Sequence, residues 1–534
     1  MTHGMIVAPQ PEAVEAGAEI LRAGGNAVDA AIACALVQSV VDPMMTGLAG
    51  FGAMQLYLPK AGVHTCIDFH GRAPAGARPE MWADLVEGET RDGFGFILKG
   101  RINDLGYQSI AVPGSLKAYA EAHEEFGTMP WRDVLAPAIA HADSGFVVRP
   151  HVHRFWTRRE GMGRVEMTER LAFTASGRRI YLDAAGSPHE MGARVANPDM
   201  ARTLRRVAED GAATFYSGVI AETIAADMAR NGGLLSFDDL ANYRTTRCDP
   251  LRGSYRGLEI ATSQPPGGGV MLLEMLNILE CFDLAALGHN TPDYIRIVAE
   301  AMKRATADKD RFVGDPAFVE MPLGRLLDKG YARDMAASIR AGEKAAVERL
   351  GGGEAKNTTH ISVIDEDGNA VSMTHSLGMP SGVITEGLGF MYNGCMVVFD
   401  PRPGRAGSLA PGKSRFSSIC PSIVFRDGKP FLVIGAPGGT QIAMGVLQAI
   451  LNIVDFSMSM SEAVAAPRFS ATSDLIDVSN RIPSRTTRAL EAQGYGIVRS
   501  YLSYAFAAVH GIKIADGRWS GGADPSHDGM ALAV

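Results

Sequence analysis

The sequence predicts an α+β or layered α/β fold, and three observations carry that expectation. Apolar residues recur at helical spacing through much of the chain up to about residue 345. Beyond Thr358 the texture changes to short alternating segments of strand type. Between the two lies one clear compositional break, the polar, glycine-rich run Gly351-Gly352-Gly353-Glu354-Ala355-Lys356. The reading is a helix-rich segment joined to a sheet-rich one. A chain of 534 residues has room for several domains of about 150 residues or for a single large sandwich.

From Pro11 to Val41 the apolar positions Val14, Ala18 and Leu21, then Val28, Ile32 and Leu36 beyond the Gly24-Gly25 break, mark two helices. Gly47 to Gly52 then leads into the strand-like Ala53–Leu58. Helices are expected at 201–209, 220–230 and 292–309. Asn231-Gly232-Gly233 stops the second, and Gly314 stops the third beyond a polar tail. Strands are expected within 359–376, 419–426 and 430–435, a helix from Gln441 to Ile453, and strand texture again in the final sixty residues.

Hydrophobic content of 46% and charged content of 21% are those of a soluble globular protein. The formal charge of -8 lacks the basic footprint of a partner for nucleic acid or acidic membranes. Cys34, Cys66, Cys248, Cys281, Cys395 and Cys420 are scattered with no C-x-x-C, so buried free thiols are expected. His151-Val152-His153 has no third ligand nearby, so no metal is expected, nor any other cofactor. The N-terminal run lacks a basic region followed by an apolar core, and Ala30 to Val41 is too short to span a bilayer. The expectation is a cytoplasmic protein.

The most informative stretch is Thr358-Thr359-His360-Ile361-Ser362-Val363-Ile364-Asp365-Glu366-Asp367-Gly368-Asn369-Ala370-Val371-Ser372-Met373-Thr374-His375-Ser376. Asp367-Gly368 between alternating segments is a hairpin signal, because both central residues of a type I′ turn need positive φ. A two-residue turn pairs Ile364 with Val371, Ser362 with Met373 and Thr359 with Ser376. Ser376 then lies beside the backbone nitrogen of Thr358, since opposite partners are roughly 5 Å apart. Threonine is also simply a favoured strand residue. A cut between Asn357 and Thr358 would change its meaning, and an exposed loop before a buried strand is a natural place for one. The new α-amine, with a pKa near 8, would accept a proton from the residue's own hydroxyl, making Thr358 nucleophile and base at once. Ser376 would orient it.

Two further segments add chemistry. Gly435-Ala436-Pro437-Gly438-Gly439-Thr440-Gln441 follows a strand and opens a helix, so its adjacent glycines expose N–H groups suited to a developing oxyanion. A tight strand-to-helix turn is the plainer alternative. The pair Ser417-Ser418, in Pro411-Gly412-Lys413-Ser414-Arg415-Phe416-Ser417-Ser418-Ile419-Cys420-Pro421, offers hydroxyl donors for a substrate carboxylate.

Together these pieces resemble the γ-glutamyltransferase family of N-terminal-nucleophile hydrolases, and the likeness covers nearly the whole chain. It runs from Ala8-Pro9-Gln10-Pro11 and Gly24-Gly25-Asn26-Ala27-Val28-Asp29 through Asp68-Phe69, Arg72-Ala73-Pro74 and Pro265-Pro266-Gly267-Gly268-Gly269. It continues in the threonine hairpin, the serine pair and the Pro-Gly-Gly turn, and closes at Gly521-Gly522-Ala523-Asp524-Pro525 with Asp528-Gly529. The resemblance implies a four-layer αββα sandwich and a precursor that cleaves itself before Thr358. A large subunit (1–357) and a small one (358–534) would remain intertwined, with any homo-oligomer of that heterodimer left open. Thr358 would attack an amide carbonyl while Gly438 and Gly439 hold the oxyanion, and the acyl group would pass to water or an amine. Ser376 stands where the family usually has a second threonine and keeps the hydroxyl.

The pocket departs from the transferase pattern. The family's carboxylate-binding arginine matches His70, with Arg72 two residues on as the alternative anchor. The residues that usually hold the α-amino group fall at Gly378, Cys395 and Val398, beside Asn393, a further candidate substrate contact. A buried ammonium without a counter-charge is costly, by several kcal/mol. The expected acyl group therefore carries a carboxylate, held by Ser417, Ser418 and Arg72 or His70, but no α-amine. Oxamate-like and glutaryl-like amides fit, as in the oxamate amidohydrolase and cephalosporin-type acylase branches. The family's lid corresponds to about 401–412. A genuine γ-glutamyl hydrolase or transferase is the rival reading, and a catalytically inactive binding protein on the same fold is the rival of another class.

Overall fold

Two antiparallel sheets pack face to face in the computed structural model, which describes residues 3–90, 93–159, 164–349 and 358–534. The first sheet has seven strands, in the spatial order Met530–Ala533, Gly4–Ala8, Thr359–Asp365, Ala370–Ser376, Phe51–Leu58, Val63–Phe69 and Thr246–Cys248. The second has six, in the order Arg518–Ala523, His510–Ala515, Lys429–Gly435, Ser422–Arg426, Leu258–Thr262 and Leu251–Tyr255. Helices Pro11–Arg22 and Ala27–Val41 cover the outer face of the first sheet; Gly269–Leu279 and Ile442–Val454 cover that of the second. The result is the expected αββα layering.

The helix Ala27–Val41 is buried at every position, because it lies between the first sheet and the helix Trp131–Ser144. Its start is fixed by a capping box: Asn26 accepts from the Asp29 amide while Asp29 accepts from that of Asn26. Each sheet forms a large apolar core with its own helices. Between the sheets the apolar filling is small, with clusters such as Ala261, Ala370, Ile423, Phe425 and Val433. Polar side chains complete that layer by donating to backbone of the facing sheet. Ser362 Oγ reaches Val433 O (3.2 Å), Ser372 Oγ reaches Ile434 O (3.1 Å), and Gln55 Nε2 reaches Ala261 O and Pro421 O (3.2 Å each).

Two expectations need correction. The chain does not divide into a helical half and a sheet half. The first sheet takes Gly4–Ala8, Phe51–Leu58, Val63–Phe69 and Thr246–Cys248 from before residue 357, and the second takes Leu251–Tyr255 and Leu258–Thr262. The final sixty residues also contain a helix, Ser484–Ala492. Second, the hairpin register is shifted by one: Thr359 pairs with His375, Ser362 with Ser372 and Ile364 with Ala370. The turn has three residues, Glu366-Asp367-Gly368, and of these only Gly368 has positive φ (79°). Asp365 explains the longer turn. Its carboxylate accepts from the Asp367 and Asn369 amides (3.0 Å each) and from Asn369 Nδ2 (2.8 Å). It also accepts from Ala27 N (2.9 Å), tying the turn to the buried helix.

Candidate active site

The corrected register puts Ser376 directly across from Thr358, and their hydroxyl oxygens are 3.2 Å apart. Side chains alternate along a strand, so Thr358, His360 and Ser362 face the second sheet, as do Ser372, Thr374 and Ser376. His360 Nδ1 lies 2.8 Å from Thr374 Oγ1, and Ser362 and Ser372 reach across as described. Ser376 Oγ also accepts the Gly378 N–H (2.8 Å), which fixes that hydroxyl toward Thr358. Thr358 is 3% exposed.

The opposite face of the hairpin rests on a buried polar network. Gln38 Nε2 donates to Thr359 Oγ1 (3.0 Å), and Gln38 Oε1 accepts from His375 Nε2 (2.8 Å). With Nε2–H used there, His375 Nδ1 accepts from Thr46 Oγ1 (2.8 Å) and Tyr119 OH (2.6 Å). Burial holds His375 neutral, its pKa pushed down to about 3. Gln38 Nε2 also meets Gln10 Oε1 (2.9 Å), and Gln10 Nε2 meets Asp42 (2.6 Å), whose carboxyl burial raises to about 7. Both hydroxyl-bearing strand ends are thereby pinned from below.

The turn after Lys429–Gly435 faces Thr358. Gly438 has φ 147° and Gly439 φ 56°, and a short 3₁₀ turn, Gly439–Gln441, leads into the helix Ile442–Val454. A Cβ at Gly438 would stand 2.6 Å from Ala507 Cα, so both backbone and space demand glycine. The loop around Ala507 braces the turn, with Ala508 N–H donating to Pro437 O (3.0 Å). The N–H groups of this turn sit at a helix N-terminus, where partial positive charge collects.

Thr358, Ser376, Gly439, Ser417 and Ser418 line one narrow cleft with Phe51, Phe94, Gly378, Val398, Arg415 and Phe416. The serine pair is held by Pro265-Pro266-Gly267-Gly268: Ser417 N–H donates to Pro266 O (3.0 Å), and Gly268 N–H to Ile419 O (2.7 Å). Arg415 is the one charged residue among the described residues of this wall, and it is 4% exposed. Its Nε donates to Phe416 O (3.0 Å), its Nη1 lies 3.8 Å from Cys395 Sγ, and its guanidinium sits 4.6 Å from the Phe51 ring centroid. No carboxylate pairs with it among the described residues. The Cys395 thiol does not compensate it, because burial pushes that group up to about 11 despite the neighbouring cation.

The sequence model of the gamma-glutamyltranspeptidase family matches residues 13–534. The acylase ACY 1 proenzyme of Pseudomonas sp. (strain SE83) is 40% identical over 505 residues, 93% of this chain and 88% of that protein. The chain belongs to the gamma-glutamyltranspeptidase family. The glutathione hydrolase proenzyme of Escherichia coli (strain K12) is 34% identical over 544 residues, covering 98% of this chain and 90% of its own length. Among solved structures, the cephalosporin acylase from Bacillus halodurans superposes with a TM-score of 0.88 at 29% identity, covering 99% of this chain and 96% of the other. As a gamma-glutamyltranspeptidase family member the chain is an enzyme of amide-bond hydrolysis or acyl transfer.

Against that family pattern, the structure brings together some expected residues and not others. Gly378 and Val398 line the cleft, and Cys395 lies just behind Gly378. A Cβ at Gly378 would stand 2.8 Å from Arg415 Nη1, so the arginine occupies space that a side chain at 378 would need. Arg72 is not at the cleft: its guanidinium stacks 5.3 Å from the Tyr243 ring centroid and Nη2 reaches Thr246 (3.3 Å). His70 is buried with Nδ1 2.8 Å from Asp68 Oδ1, also away from the lining. Asn393 is a structural clamp. Its Nδ2 donates to Ala49 O and Ala111 O (2.9 Å each), and its Oδ1 accepts from the amides of Ala111 and Cys395.

Arg415 is thus the residue that sequence reading missed. Within a Pro/Gly-rich loop it looks like a surface cation, and only its bracketing by Phe416 and the serine pair could have drawn attention. The loop 401–412 lines a separate adjoining pocket rather than the Thr358 cleft. Asn357 lies outside the described residues, as does the run 351–356. His151 and His153 diverge, His151 stacking on His527 (4.1 Å) and His153 approaching Glu190 (3.6 Å). Among the described residues no cluster suits a metal ion, and no helix is long and apolar enough to cross a membrane.

Proposed function

We propose that the chain cleaves itself before Thr358 and then hydrolyses the amide of a small acyl group that carries a carboxylate and no α-amine, such as an oxamate-like or glutaryl-like amide. One observation carries the reading: Arg415 is a buried cation in the same cleft as Thr358, and among the described residues no carboxylate pairs with it. Such a charge is destabilising until an anion meets it, and the substrate carboxylate is that anion, bound bidentately with help from Ser417 and Ser418. No Asp or Glu lines the cleft among the described residues, so among them a γ-glutamyl ammonium would find no counter-charge. Arg415 replaces Arg72 and His70 as the anchor.

In the mature form the freed α-amine of Thr358 takes the proton from Oγ1 as that oxygen attacks the amide carbon. Ser376 orients the hydroxyl. The oxyanion forms against the N–H groups of Gly438 and Gly439. Collapse breaks the C–N bond, the α-ammonium returns its proton to the leaving amine, and an ester on Thr358 remains. Water, activated by the same amine, then releases the acid and regenerates the enzyme.

Two experiments test this. Intact mass of the purified protein should show two fragments with a new N-terminus at Thr358. A panel of glutathione, a γ-glutamyl anilide, oxamate and a glutaryl amide should show turnover of the last two above the first two. Fast turnover of the γ-glutamyl compounds alone would establish the rival reading, which the glutathione hydrolase relatives keep in view. An uncut chain with no turnover of any of them would leave a binding protein.

A further inference from the structure

His151 of the run His151-Val152-His153 belongs to a cavity that the reaction does not use. The cavity lies between the helix Pro150–Thr157, the loop 501–506 and the short turn Pro525–His527. Among the described residues it shares no wall with the Thr358 cleft. Its volume of about 80 Å³ gives room for about six waters or one small ring. Phe155, Tyr504 and Phe506 make the walls largely aromatic, Arg154 and Arg158 supply two guanidinium groups, and no Asp or Glu lines it among the described residues.

Arg154 Nη2 donates to Ser526 O (3.0 Å) and lies 3.5 Å from His151 Nδ1, and among the described residues it makes no ion pair. The Arg158 guanidinium stands 5.0 Å from the Phe155 ring centroid. His151 is 5% exposed, yet its Nε2 has no hydrogen-bond partner among the described residues. Flat walls and guanidinium groups together suit a planar anion, because a guanidinium meets a carboxylate in the plane of both.

The cavity also stands where the supports of the active site converge. Met45, in its wall, accepts the N–H of Leu377 (3.0 Å), the residue after Ser376, and the next residue, Thr46, holds His375. His151 lies 3.8 Å from Asp42, where the chain through Gln10 and Gln38 to Thr359 begins. Ala505 and Phe506 lead directly into Ala507, which stands against Gly438, and into Ala508, whose N–H holds Pro437 O. Phe506 has φ 72°, a conformation that a bulky side chain keeps only while its surroundings enforce it.

We propose that this cavity is an effector site for a small aromatic carboxylate, and that its occupancy braces the oxyanion turn through residues 505–508. The carboxylate meets Arg154 and Arg158, and the ring lies among Phe155, Tyr504 and Phe506. A loop that swings away takes Tyr504 and Phe506 with it and dismantles the site, so the ligand favours the closed loop. The proposal is independent of which acyl group the Thr358 cleft accepts.

The test compares benzoate with its neutral counterpart benzamide by calorimetric titration of the processed protein. Benzoate should bind about fivefold more tightly, the range of a partly exposed charge pair. That preference should fall toward one in Arg154→Gln or Arg158→Gln and persist in Arg415→Met, which removes the cation of the acyl cleft. At ten times its Kd benzoate should slow hydrogen exchange across 505–508 about tenfold. It should also raise kcat at saturating glutaryl 4-nitroanilide at least about twofold, in wild type and not in Arg154→Gln. Equal affinity for the two ligands, or benzoate binding that survives both arginine variants unchanged, overturns the site. Benzoate binding lost in Arg415→Met places the anion in the acyl cleft and overturns it as well. Exchange at 505–508 that benzoate leaves unslowed, or a kcat it does not raise, overturns the link to the oxyanion turn. If the anilide is not turned over, the acyl reading fails alone, and binding and exchange still decide the effector site.

Discussion

Among the described residues, the cleft around Thr358 holds one buried guanidinium, that of Arg415, which meets no carboxylate, whereas in the adjoining pocket five cations and four carboxylates share one rim and largely satisfy one another. The same kind of side chain therefore has different consequences a few ångströms apart. A dry, uncompensated charge discriminates strongly, because a neutral acyl group leaves it unpaired at full desolvation cost. A compensated rim adds little per contact. On the proposed function, the inner site is the one that selects.

The comparison breaks most completely if the chemistry does not depend on Thr358 at all. Thr358→Ala should remain a single uncut chain and lose at least about 10³-fold in kcat/KM; two fragments and normal turnover would end the proposal. Next in size is Arg415→Met. Turnover of a glutaryl amide should fall about 100-fold, within the range for truncating a desolvated charge pair, while the pentanoyl amide of the same amine changes little. Thermal unfolding should shift upward or stay put, since an uncompensated buried charge has been removed. An equal loss for both amides would mean that Arg415 shapes the cleft rather than reads charge.

A smaller effect sharpens the orienting role of Ser376. Ser376→Ala should cost about 10- to 100-fold in kcat, whereas Ser376→Thr, which keeps the hydroxyl, should stay within about threefold of wild type. Comparable losses in both variants would point to packing instead.

The smallest effect concerns the support beneath the cleft. Burial holds His375 and His151 down to about 3 and His510 to about 4, and lowers His360 as well. The unfolded chain takes up these protons near pH 6.5 and the native one does not. Stability is therefore full above about pH 6.5 and declines as pH falls toward the native values, with a slope of about 1.4 kcal/mol per pH unit for each histidine. Among the described residues neither ring nitrogen of His510 has a hydrogen-bond partner, so His510→Gln should lessen that slope by about one proton in urea titrations between pH 6.5 and 4.5. An unchanged slope would remove His510 from the account.

Much of this arrangement was legible in the sequence. The helices at 11–22 and 27–41, the threonine hairpin, the glycine turn and the serine pair all lie where periodicity and turn chemistry put them. The register was not legible, because Asp365 and Asp367-Gly368 are compatible with two turn lengths. Only the four hydrogen bonds of the Asp365 carboxylate, one of them to Ala27, select the longer one. Arg415 was hidden for a related reason: a cation in a loop reads as solvated unless the residues that enclose it, such as Phe51 and Cys395, are known to be close. Asn393 shows the converse. Its place in the family pattern suggested a substrate contact, whereas its amide is fully used in joining three chain segments.

The interleaving of strands from before and after residue 357 has a practical consequence for anyone producing the enzyme. Made alone, 358–534 would present Thr359–Asp365 without Gly4–Ala8 and Ala370–Ser376 without Phe51–Leu58, while Met530–Ala533 would lose the strand it pairs with. Those naked backbone rows are templates for aggregation. Separately expressed pieces should therefore precipitate, and soluble material should come only from the unbroken gene or from simultaneous synthesis of both parts.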